Sequence, residues 1–485
     1  MGLWKNFKKR LGYSTQKRAY HAAKVSRLNT DWVTGATSAN SEIKGSLKAL
    51  RARARQLERD NDYARRYFKA LENNVLGSNG VQLQAKAKDI DGTSDTFANN
   101  AIERAWKKWG RMGNCTVTGK HSWHDVQRVV LRSVARDGSV LVRKVRGYDN
   151  AFRYALQILE ADLLAHDMNG MDKKTGNSIR MGVEQDKWEK PVAYHLHSSH
   201  EGDDFPLSDS RKTERVPADE ILHVYMSERP HQATGVPWLC SAMSRLNQLS
   251  AYEEAELISA RIGASKMGFY VKGEGGEGYQ GEEDASGNLI TEAEPGSFEQ
   301  LPAGLDFKTF DPQHPTGNYQ HFIKACLRGV ASGLGISYNS LASDLEGVNY
   351  SSIRAGLLEE REEWQSIQRW FITHLLDEVY ADWLNYALLS GELQLPAGKY
   401  SKFRSVEWKA RRWPWVDPLK DAQANILQIS NGLKSRRQIV SEAGGDIEDT
   451  YNQIADDVAL AEGKGISVDA GLRPDGFEAV DNDPE

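Results

Sequence analysis

A long segment without proline, residues 319–389, most constrains what this chain can fold into. Its first part carries apolar residues at helical spacing and ends before two glycines, which predicts a helix over residues 319–330 or slightly beyond. Its last part, residues 351–389, carries a second apolar stripe and predicts a helix roughly 55 Å long. A polar loop, GISYNSLASDLEGVNYSS, joins the two helices, and Ser351 or Ser352 is expected to cap the second one. Such a loop is typical of a segment that is presented to a partner.

Composition predicts a globular, soluble protein of about two to four domains. The chain has 485 residues, of which 40% are hydrophobic and 27% are charged. It has neither an apolar run near the roughly 20 residues of a membrane span nor the apolar core of a signal peptide. Cys115, Cys240 and Cys326 stand far apart without a CxxC pattern, which indicates a reducing compartment and no disulfide or zinc framework.

Charge is unevenly distributed along the chain. Residues 1–30 contain eight Lys or Arg and no acid, whereas residues 441–485 contain thirteen acids and two basic residues. Residues 272–311 contain ten acids and two lysines, a net charge of −8. A protein that binds DNA statically is usually basic over its whole binding domain. This pattern therefore disfavours that class.

Three interpretations of the basic segment stay open. Its apolar side chains Leu3, Trp4, Phe7 and Leu11 fall on one helical face among lysines and an arginine. A helix of this kind lies on membrane surfaces, and it also suits contact with nucleic acid or with a partner protein. The third possibility is a solvated tail.

The region from residue 46 to residue 226 has the pattern of an α+β domain of about 170 residues. An arginine-rich helical stretch, which includes Arg51 and Arg55, is interpreted as a solvated helix face. A further helical segment over 234–266, with Pro237 in its first turn, follows this domain. The predicted helices and strands of the domain are, in order, helix 46–76, strand 81–88, helices 94–110 and 122–136, and strands 139–146, 154–165, 179–184, 191–197 and 220–226.

Two groups of side chains have the spacing of metal ligands. His195, His197 and His200 form an HxHxxH pattern, in which the first two share a strand face. Asp344 and Glu346 form a carboxylate pair of the kind that metal nucleases use. Without a third ligand or a general acid, however, incidental histidines and a solvated loop are the favoured interpretations.

The aromatic and basic run WKARRWPW, residues 408–415, has a composition that stacks on bases. Tryptophans at a tightly turned junction are more often core residues, and that interpretation is favoured here. No catalytic constellation emerges from the sequence. We therefore predict neither an enzyme nor a cofactor or metal.

Several runs together resemble the lambda-type portal proteins of tailed bacteriophages. The order of an α+β domain, a helix, an acidic insertion, a second helix, a polar loop and a long helix is similar as well. The resemblance covers most of residues 45–450. The matching runs are RDNDYARRYFKALENNVLGSNG (59–80), RDGSVLVR (136–143), VPADEILHVY (216–225), GVPWL (235–239), GISYNSLASDLEGVNYSSIRAG (335–356), WVDPLKDAQANI (415–426) and NGLKSRRQIVSEAGGDIED (431–449).

The resemblance implies an α+β, mainly helical portal-type fold with wing, stem, clip and crown, assembled as a cyclic ring. Each part of that fold is expected at a defined position in this sequence. The expected parts are the basic N-terminal arm 1–44, wing 45–233, stem helix 234–266, clip 267–318, second stem helix 319–333, tunnel loop 334–350, long wing helix with the following turn 351–404, crown 405–462 and acidic tail 463–485.

The resemblance also implies a ring of about twelve copies at one capsid vertex of the virion, assembled in the host cytoplasm. Double-stranded DNA would enter this channel during packaging and leave it during ejection. The partners implied are the DNA, the terminase large subunit, the major capsid and scaffold proteins and a head-tail adaptor, without stable membrane insertion.

Two sets of site residues follow from the resemblance. The tunnel loop would face DNA without sequence preference, and the acidic clip would dock the terminase and later the adaptor. The tunnel-loop set is Asn339, Ser340, Ser343, Asp344, Glu346, Asn349, Tyr350 and Ser351. The clip set is Glu274, Glu277, Glu282, Glu283, Asp284, Glu292 and Glu294.

Two alternative functions are also consistent with the sequence. The first is a metal-dependent nuclease of mobile DNA that uses Asp344, Glu346 or the histidine group. The second is a peripheral membrane scaffold that uses the basic N-terminal helix. Incubation with plasmid and divalent metal discriminates the nuclease, and liposome flotation discriminates the scaffold.

Overall fold

The fold is mainly helical, with small antiparallel sheets. A computed structural model describes residues 35–200, 202, 212–264, 268–272, 305–309, 318–346, 349–413, 418–442, 445 and 447–464. The helices are α1 (Ala39–Asp60), α2 (Asp62–Val75), α3 (Thr96–Trp109), α4 (Trp123–Asp137), α5 (Met243–Ala264), α6 (Tyr319–Leu334), α7 (Tyr338–Ala342), α8 (Tyr350–Phe371), α9 (Asp377–Leu389), α10 (Tyr400–Phe403), α11 (Pro418–Ser430), α12 (Arg436–Glu442) and α13 (Ile447–Gly463). The strands are β1 (Gln82–Ala85), β2 (Ser139–Arg146), β3 (Tyr154–Leu159), β4 (Gly170–Met171), β5 (Ser178–Arg180), β6 (Val183–Gln185), β7 (Pro191–His197), β8 (Thr213–Pro217), β9 (Ile221–Tyr225), β10 (Gly268–Lys272), β11 (Leu305–Thr309) and β12 (Val406–Lys409).

The α+β character predicted for the first half of the chain is confirmed. Strands β3, β2 and β9 form one antiparallel sheet, and β4 to β8 form a second one in sequence order. The prediction missed β4 and β8, and its strand 179–184 is two strands, β5 and β6. It extended β3 too far, because Ala161–Leu163 turns as a 3-10 helix. It also treated residues 46–76 as one helix. Asn61 separates α1 from α2, and its side chain accepts a hydrogen bond from the Ala64 amide that caps α2.

One strand pair joins distant parts of the chain. Strand β1 pairs antiparallel with β12, with Gln82 opposite Lys409. The sequence pattern did not predict the second strand, which follows the expected crown boundary at residue 405. Strand β12 nevertheless pairs with β1 of the α+β domain, so this part of the expected crown belongs to the sheet of that domain.

A cluster of aromatic rings holds the helical core together. The Trp106 ring lies 4.9 Å from that of Trp383, 5.4 Å from that of Trp123 and 6.1 Å from that of Trp408, centroid to centroid. Trp106 is 5% exposed and Trp383 is completely buried. The four rings belong to α3, α4, α9 and β12. The cluster therefore fixes the end of the long helix against the α+β domain.

The predicted long helix is present. It runs without a break from α8 into α9, and the residues between them, Ile372–Leu376, form a π-helical turn that the sequence analysis did not predict. Because α8 begins at Tyr350, Ser351 and Ser352 lie in its first turn, so the prediction that one of them caps the helix is wrong.

The helix predicted over 234–266 begins later than expected. It starts at Met243, after a stretch of turns that contains Pro237. At Gly138, which ends α4 with φ 86°, a Cβ atom would lie 2.6 Å from the backbone of Val236. This close approach holds residues 235–236 against the end of α4 in a non-helical conformation. In the described part of the chain, no helix combines the length and the apolar character that a membrane span needs.

Arg51 is buried, so the interpretation of the arginine-rich stretch as a solvated face is wrong for this residue, although Arg53, Arg59, Arg65 and Arg66 are exposed. Its side chain is 3% exposed; Nε donates to the Asp137 carbonyl at 2.8 Å, and Nη1 donates to Asp162 at 3.0 Å. The residue lies on the buried stripe of α1, between Leu47 and Ala54. Its guanidinium therefore stabilises the contact of α1 with the end of α4.

We predict that Arg51→Ala lowers the free energy of unfolding by about 3–5 kcal/mol, because it leaves the buried Asp137 carbonyl without its donor and removes one of the two arginines paired with Asp162. Chemical denaturation measures the change. Arg53→Ala is the matched control. Arg53 is an exposed arginine of the same helix and has no ion pair among the described residues, so its replacement should change stability by less than about 0.5 kcal/mol. Equal effects of the two changes would contradict this assignment.

Candidate functional site

The polar segment between α6 and α8 is folded locally. Helix α6 ends at Gly335, whose φ of 66° is left-handed, and the Ile336 amide donates to the Ala331 carbonyl at 3.1 Å. The Ser337 hydroxyl then accepts from the Ser340 amide at 3.2 Å and caps α7. The sequence analysis placed a loop here, whereas the structure places a helical turn within it.

A buried carboxylate attaches this turn to the long helix. Glu360 is 7% exposed and accepts from the Ser337 amide at 3.2 Å and from the Ser340 hydroxyl at 2.8 Å. Its other oxygen accepts from the Trp364 indole at 3.1 Å. Leu341, 2% exposed, packs into the same core. The first half of the polar segment is thus held against α8.

A second set of polar contacts, here called the Lys324 latch, holds the other half against α6. It consists of Lys324 and Tyr338 with the carboxylates of Asp344 and Glu346. Lys324 Nζ lies 3.2 Å from a carboxylate oxygen of each acid. The Tyr338 hydroxyl donates to Asp344 Oδ2 at 2.7 Å, and the Glu346 amide donates to Asp344 Oδ1 at 2.9 Å.

Charge and hydrogen bonding favour the ionised form of the latch. The Glu346 amide, the Tyr338 hydroxyl and Lys324 together lower the pKa of Asp344 to about 2. The two carboxylates raise the pKa of Lys324 above its usual value. A lowered carboxylate pKa stabilises the closed latch fully above the usual pKa near 3.8, and this contribution is lost as the pH falls through about 2. Asp344 and Lys324 are therefore both charged at neutral pH, as the ion pair requires.

The predicted tunnel-loop residues are brought together, but they are not equally accessible. Asn339, Ser340 and Asp344 are half-buried, whereas Ser343, Glu346 and Asn349 are exposed. Ser343 adopts a left-handed conformation with φ 55°. Tyr350 and Ser351 belong to the first turn of α8. Among the described side chains of the segment, the most exposed apolar one is that of Leu345, at 67%.

All seven acids of the predicted clip set lie outside the described residues. Of the predicted clip, residues 267–318, the structure describes the antiparallel pair β10–β11, in which Gly268 is opposite Thr309, and residue 318. The basic segment 1–34 and most of the acidic tail also lie outside.

The histidine pattern does not form a shared site. His195 is buried, and its Nε2 lies 3.5 Å from Glu184, which also binds Arg215. Among the described residues, the only three His, Cys, Asp or Glu side chains close enough to share an ion are Glu160, Asp162 and His200.

Asp162 of that group is already paired with two arginines. Burial opposes ionisation of Asp162, but Arg51 and Arg55 outweigh it and lower its pKa to about 2. Their guanidinium groups lie 3.0 and 2.5 Å from its oxygens. A cation at this carboxylate would meet two positive charges, so the arrangement suits an ion-paired structural contact.

The tryptophans of the 408–415 run that the structure describes are structural. Trp408 lies in β12 and donates to Asp377 at 2.7 Å, and Trp413 donates to the Asn74 side chain at 2.9 Å. Both pack against the core. The interpretation of these two as core residues is confirmed, whereas Trp415 lies outside the described residues.

Sequence reasoning missed the three side chains that shape the site: Lys324, Tyr338 and Glu360. For Glu360 a signal existed, because it lies four residues before Trp364 and three after Leu357, on the apolar stripe of the long helix. An acid at such a position indicates a buried, hydrogen-bonded carboxylate. Lys324 carried no comparable local signal.

Comparison with known proteins places this chain among portal sequences. The model of the family described as phage portal protein, lambda family, matches residues 25–368. The probable portal protein of Halomonas phage phiHAP-1 is 38% identical over 479 residues, which cover 97% of this chain and 92% of that protein. Portal protein B of Escherichia phage lambda is 20% identical over 470 residues, which cover 87% of this chain and 85% of that protein.

Solved structures give a weaker likeness. The neck of a native gene transfer agent particle, computed with C12 symmetry, has a TM-score of 0.42 at 13% identity and covers 81% of this chain and 94% of that one. A chain from the virion of the native particle has a TM-score of 0.43 at 14% identity, with coverages of 86% and 98%. Likenesses of this size carry no conclusion about the assembly of this chain.

We predict that Lys324→Ala opens the latch. Loss of the ammonium leaves two neighbouring carboxylates without their shared counter-ion, so the amides of residues 343–346 should exchange with deuterium at least about threefold faster. Exchange followed by mass spectrometry measures this. Lys69→Ala is the control, since Lys69 is exposed and has no ion pair among the described residues. Unchanged exchange in Lys324→Ala would contradict the role of this lysine.

Proposed function

Because the chain belongs to the lambda family of phage portal proteins, we propose that about twelve copies form a closed ring at one capsid vertex. Double-stranded DNA would be packaged through its channel by the terminase motor and later ejected through it. The observation that carries the proposal is the polar segment held between α6 and the long helix by Glu360 and the Lys324 latch. It presents polar and charged groups on a rigid support.

The exposed apolar side chains support ring formation. A closed ring needs two different, complementary surfaces on each subunit. Helices α11 to α13 and the turn after α11 expose several leucines and an isoleucine by 61–77%, which is typical of a surface covered by a neighbouring protein. These residues are Leu419, Ile426, Leu427, Leu433 and Leu460.

The architectural assignment stays part of the proposal. We assign 45–233 to the wing, 234–266 and 319–333 to the stem, and 267–318 to the clip. Support comes from helices α5 and α6, which frame the clip segment; the Ser241 hydroxyl, just before α5, donates to the Gly333 carbonyl at 2.8 Å. Residues 334–350, 351–404 and 405–462 are assigned to the tunnel loop, the long wing helix with its turn, and the crown.

The charge of the latch suits a channel wall along which DNA slides. Strong phosphate binding needs free cations, and its free energy depends steeply on salt. Lys324 is paired with both acids of the loop, Asp344 and Glu346. The wall therefore offers DNA hydroxyl and amide groups, such as those of Ser343 and Asn349, that make weak contacts without sequence preference.

The docking partners are proposed from the acidic clip segment. Its net charge of −8 over residues 272–311 is repeated in every subunit of a ring. Such a surface would attract basic segments of the terminase large subunit and then of a head-tail adaptor. Capsid and scaffold proteins would contact the outside of the ring.

Electron microscopy of the purified chain, with native mass spectrometry, tests the ring. We expect annular particles with a central hole and a mass near twelve times 54.3 kDa. A chain that stays monomeric or dimeric at high concentration, both with and without the phage partners, would contradict the proposal.

A nuclease assay on the same sample tests the alternative function. Plasmid DNA should stay intact with Mg²⁺ or Mn²⁺, whereas cleavage would favour the metal-dependent nuclease.

A loop variant tests the channel function apart from assembly. Deletion of residues 340–349 would also remove the buried Leu341 and the Ser340 contact with Glu360. Substitutions that affect only the latch therefore test the channel function more specifically. We expect Asp344→Asn with Glu346→Gln to release the latch, to leave rings intact and to lower DNA packaging or retention at least about threefold. Glu359→Gln with Glu362→Gln, two exposed acids of α8, is the matched control. Packaging equal to that of the control would disprove a role for the latch.

A further inference from the structure

A basic cleft lies between the β1–β12 sheet, helix α3 and helix α13. It encloses about 540 Å³, within the usual range of binding pockets. One wall is the turn 76–80 before β1, where Gly77 and Gly80 have positive φ. The opposite wall contains Thr450 and Gln453 of α13. Neither the latch nor the proposed channel uses this cleft.

The charged side chains of the cleft are mostly cations. They are Lys107, Lys409, Arg411 and Arg412, against the single acid Glu103, for a net charge of +3 (four minus one). Glu103 accepts a hydrogen bond from the Ala85 amide at 2.9 Å. The site therefore has the charge of an anion-binding site.

Among the described residues, two of these cations have neither an ion pair nor a side-chain hydrogen bond. Lys409 pairs with Glu407 at 2.8 Å, and Arg411 donates to Asn73 and Asn74. Lys107 and Arg412 are both exposed, and neither side chain has an ion pair or hydrogen bond to any of the described residues. These two side chains are free to bind an external anion.

We propose that this cleft binds the acidic segment 465–485 of the same chain. That segment contains six acids and one basic residue, Arg473, so its net charge of −5 (one minus six) opposes that of the cleft. Helix α13 passes the cleft at Gln453 and ends at Gly463. Ten residues of helix span about 15 Å, a distance that roughly five extended residues can return across.

The tether favours this segment over other polyanions. A segment joined to the same helix has a high effective concentration at the cleft, whereas DNA must compete for it from solution. The cleft is also concave and lined by Glu103 and neutral amides such as Gln82, which suits an extended peptide better than the convex face of a duplex. Bound there, the segment would hold α13 against the β1–β12 sheet.

Photo-cross-linking in the full-length chain tests this directly. We would place p-benzoylphenylalanine at Phe477 and map the cross-linked peptides by mass spectrometry. We expect cross-links to residues 76–84, 103–107 or 409–412, in a product that keeps the mass of one chain after denaturation. Their yield should fall about tenfold in 1 M salt, where the Debye length is about 3 Å.

Charge variants distinguish binding at this cleft from nonspecific attraction of the acidic segment to basic surface residues. Lys107→Glu with Arg412→Glu should lower the yield about tenfold, whereas Arg53→Glu with Lys69→Glu, on exposed sites of α1 and α2, should leave it unchanged. Asp475→Asn with Glu478→Gln should lower the yield as well, and neither residue lines the cleft. Cross-links elsewhere, or only between chains, would overturn the proposal. Loss of DNA binding in the first variant, with cross-links unchanged, would assign the cleft to nucleic acid instead.

Discussion

The packing of Trp106 against rings from three other elements is the contact on which the rest of the structure depends. Its partners Trp123, Trp383 and Trp408 are brought from α4, α9 and β12. Each such pair contributes about 0.5–1.5 kcal/mol beyond the burial of its area. Because Trp383 lies near the end of the long helix, this cluster sets the direction of α8. The direction of α8 in turn positions Glu360, and Glu360 positions the polar segment.

Buried charged groups fix the details that apolar packing leaves open. Apolar side chains tolerate small rotations of a helix, whereas a buried carboxylate or guanidinium must keep its hydrogen-bond geometry. Glu360 meets this requirement with three donors, and Arg51 meets it with a carbonyl, a carboxylate and the hydroxyl of Ser139. Both lie on the apolar stripes of their helices. Their hydrogen bonds fix the relative position of elements that are distant in sequence.

The polar segment combines two kinds of attachment, and this bears on the proposed channel. Its first half is anchored in the core by Leu341 and Glu360, while its second half is held by the partly exposed Lys324 latch. Solvent-exposed ion pairs contribute little to stability and open at low cost. The segment thus has a rigid base and a releasable end. This division suits a wall that contacts moving DNA without holding it.

The sequence by itself determined the family, the α+β first domain, the helix from residue 319 and the long helix beyond residue 350. These follow from apolar periodicity and from extended runs of matching residues, which are local properties of the chain. The pairing of β1 with β12, the burial of Arg51 and the partners of Lys324 were decided only by tertiary structure. Lys324 lies about 20 residues from Asp344 and Glu346, and the local pattern does not specify which charges meet across such a distance. Glu360 stands between these cases, because its position on the stripe marks it as buried, but only the fold shows that it holds Ser340.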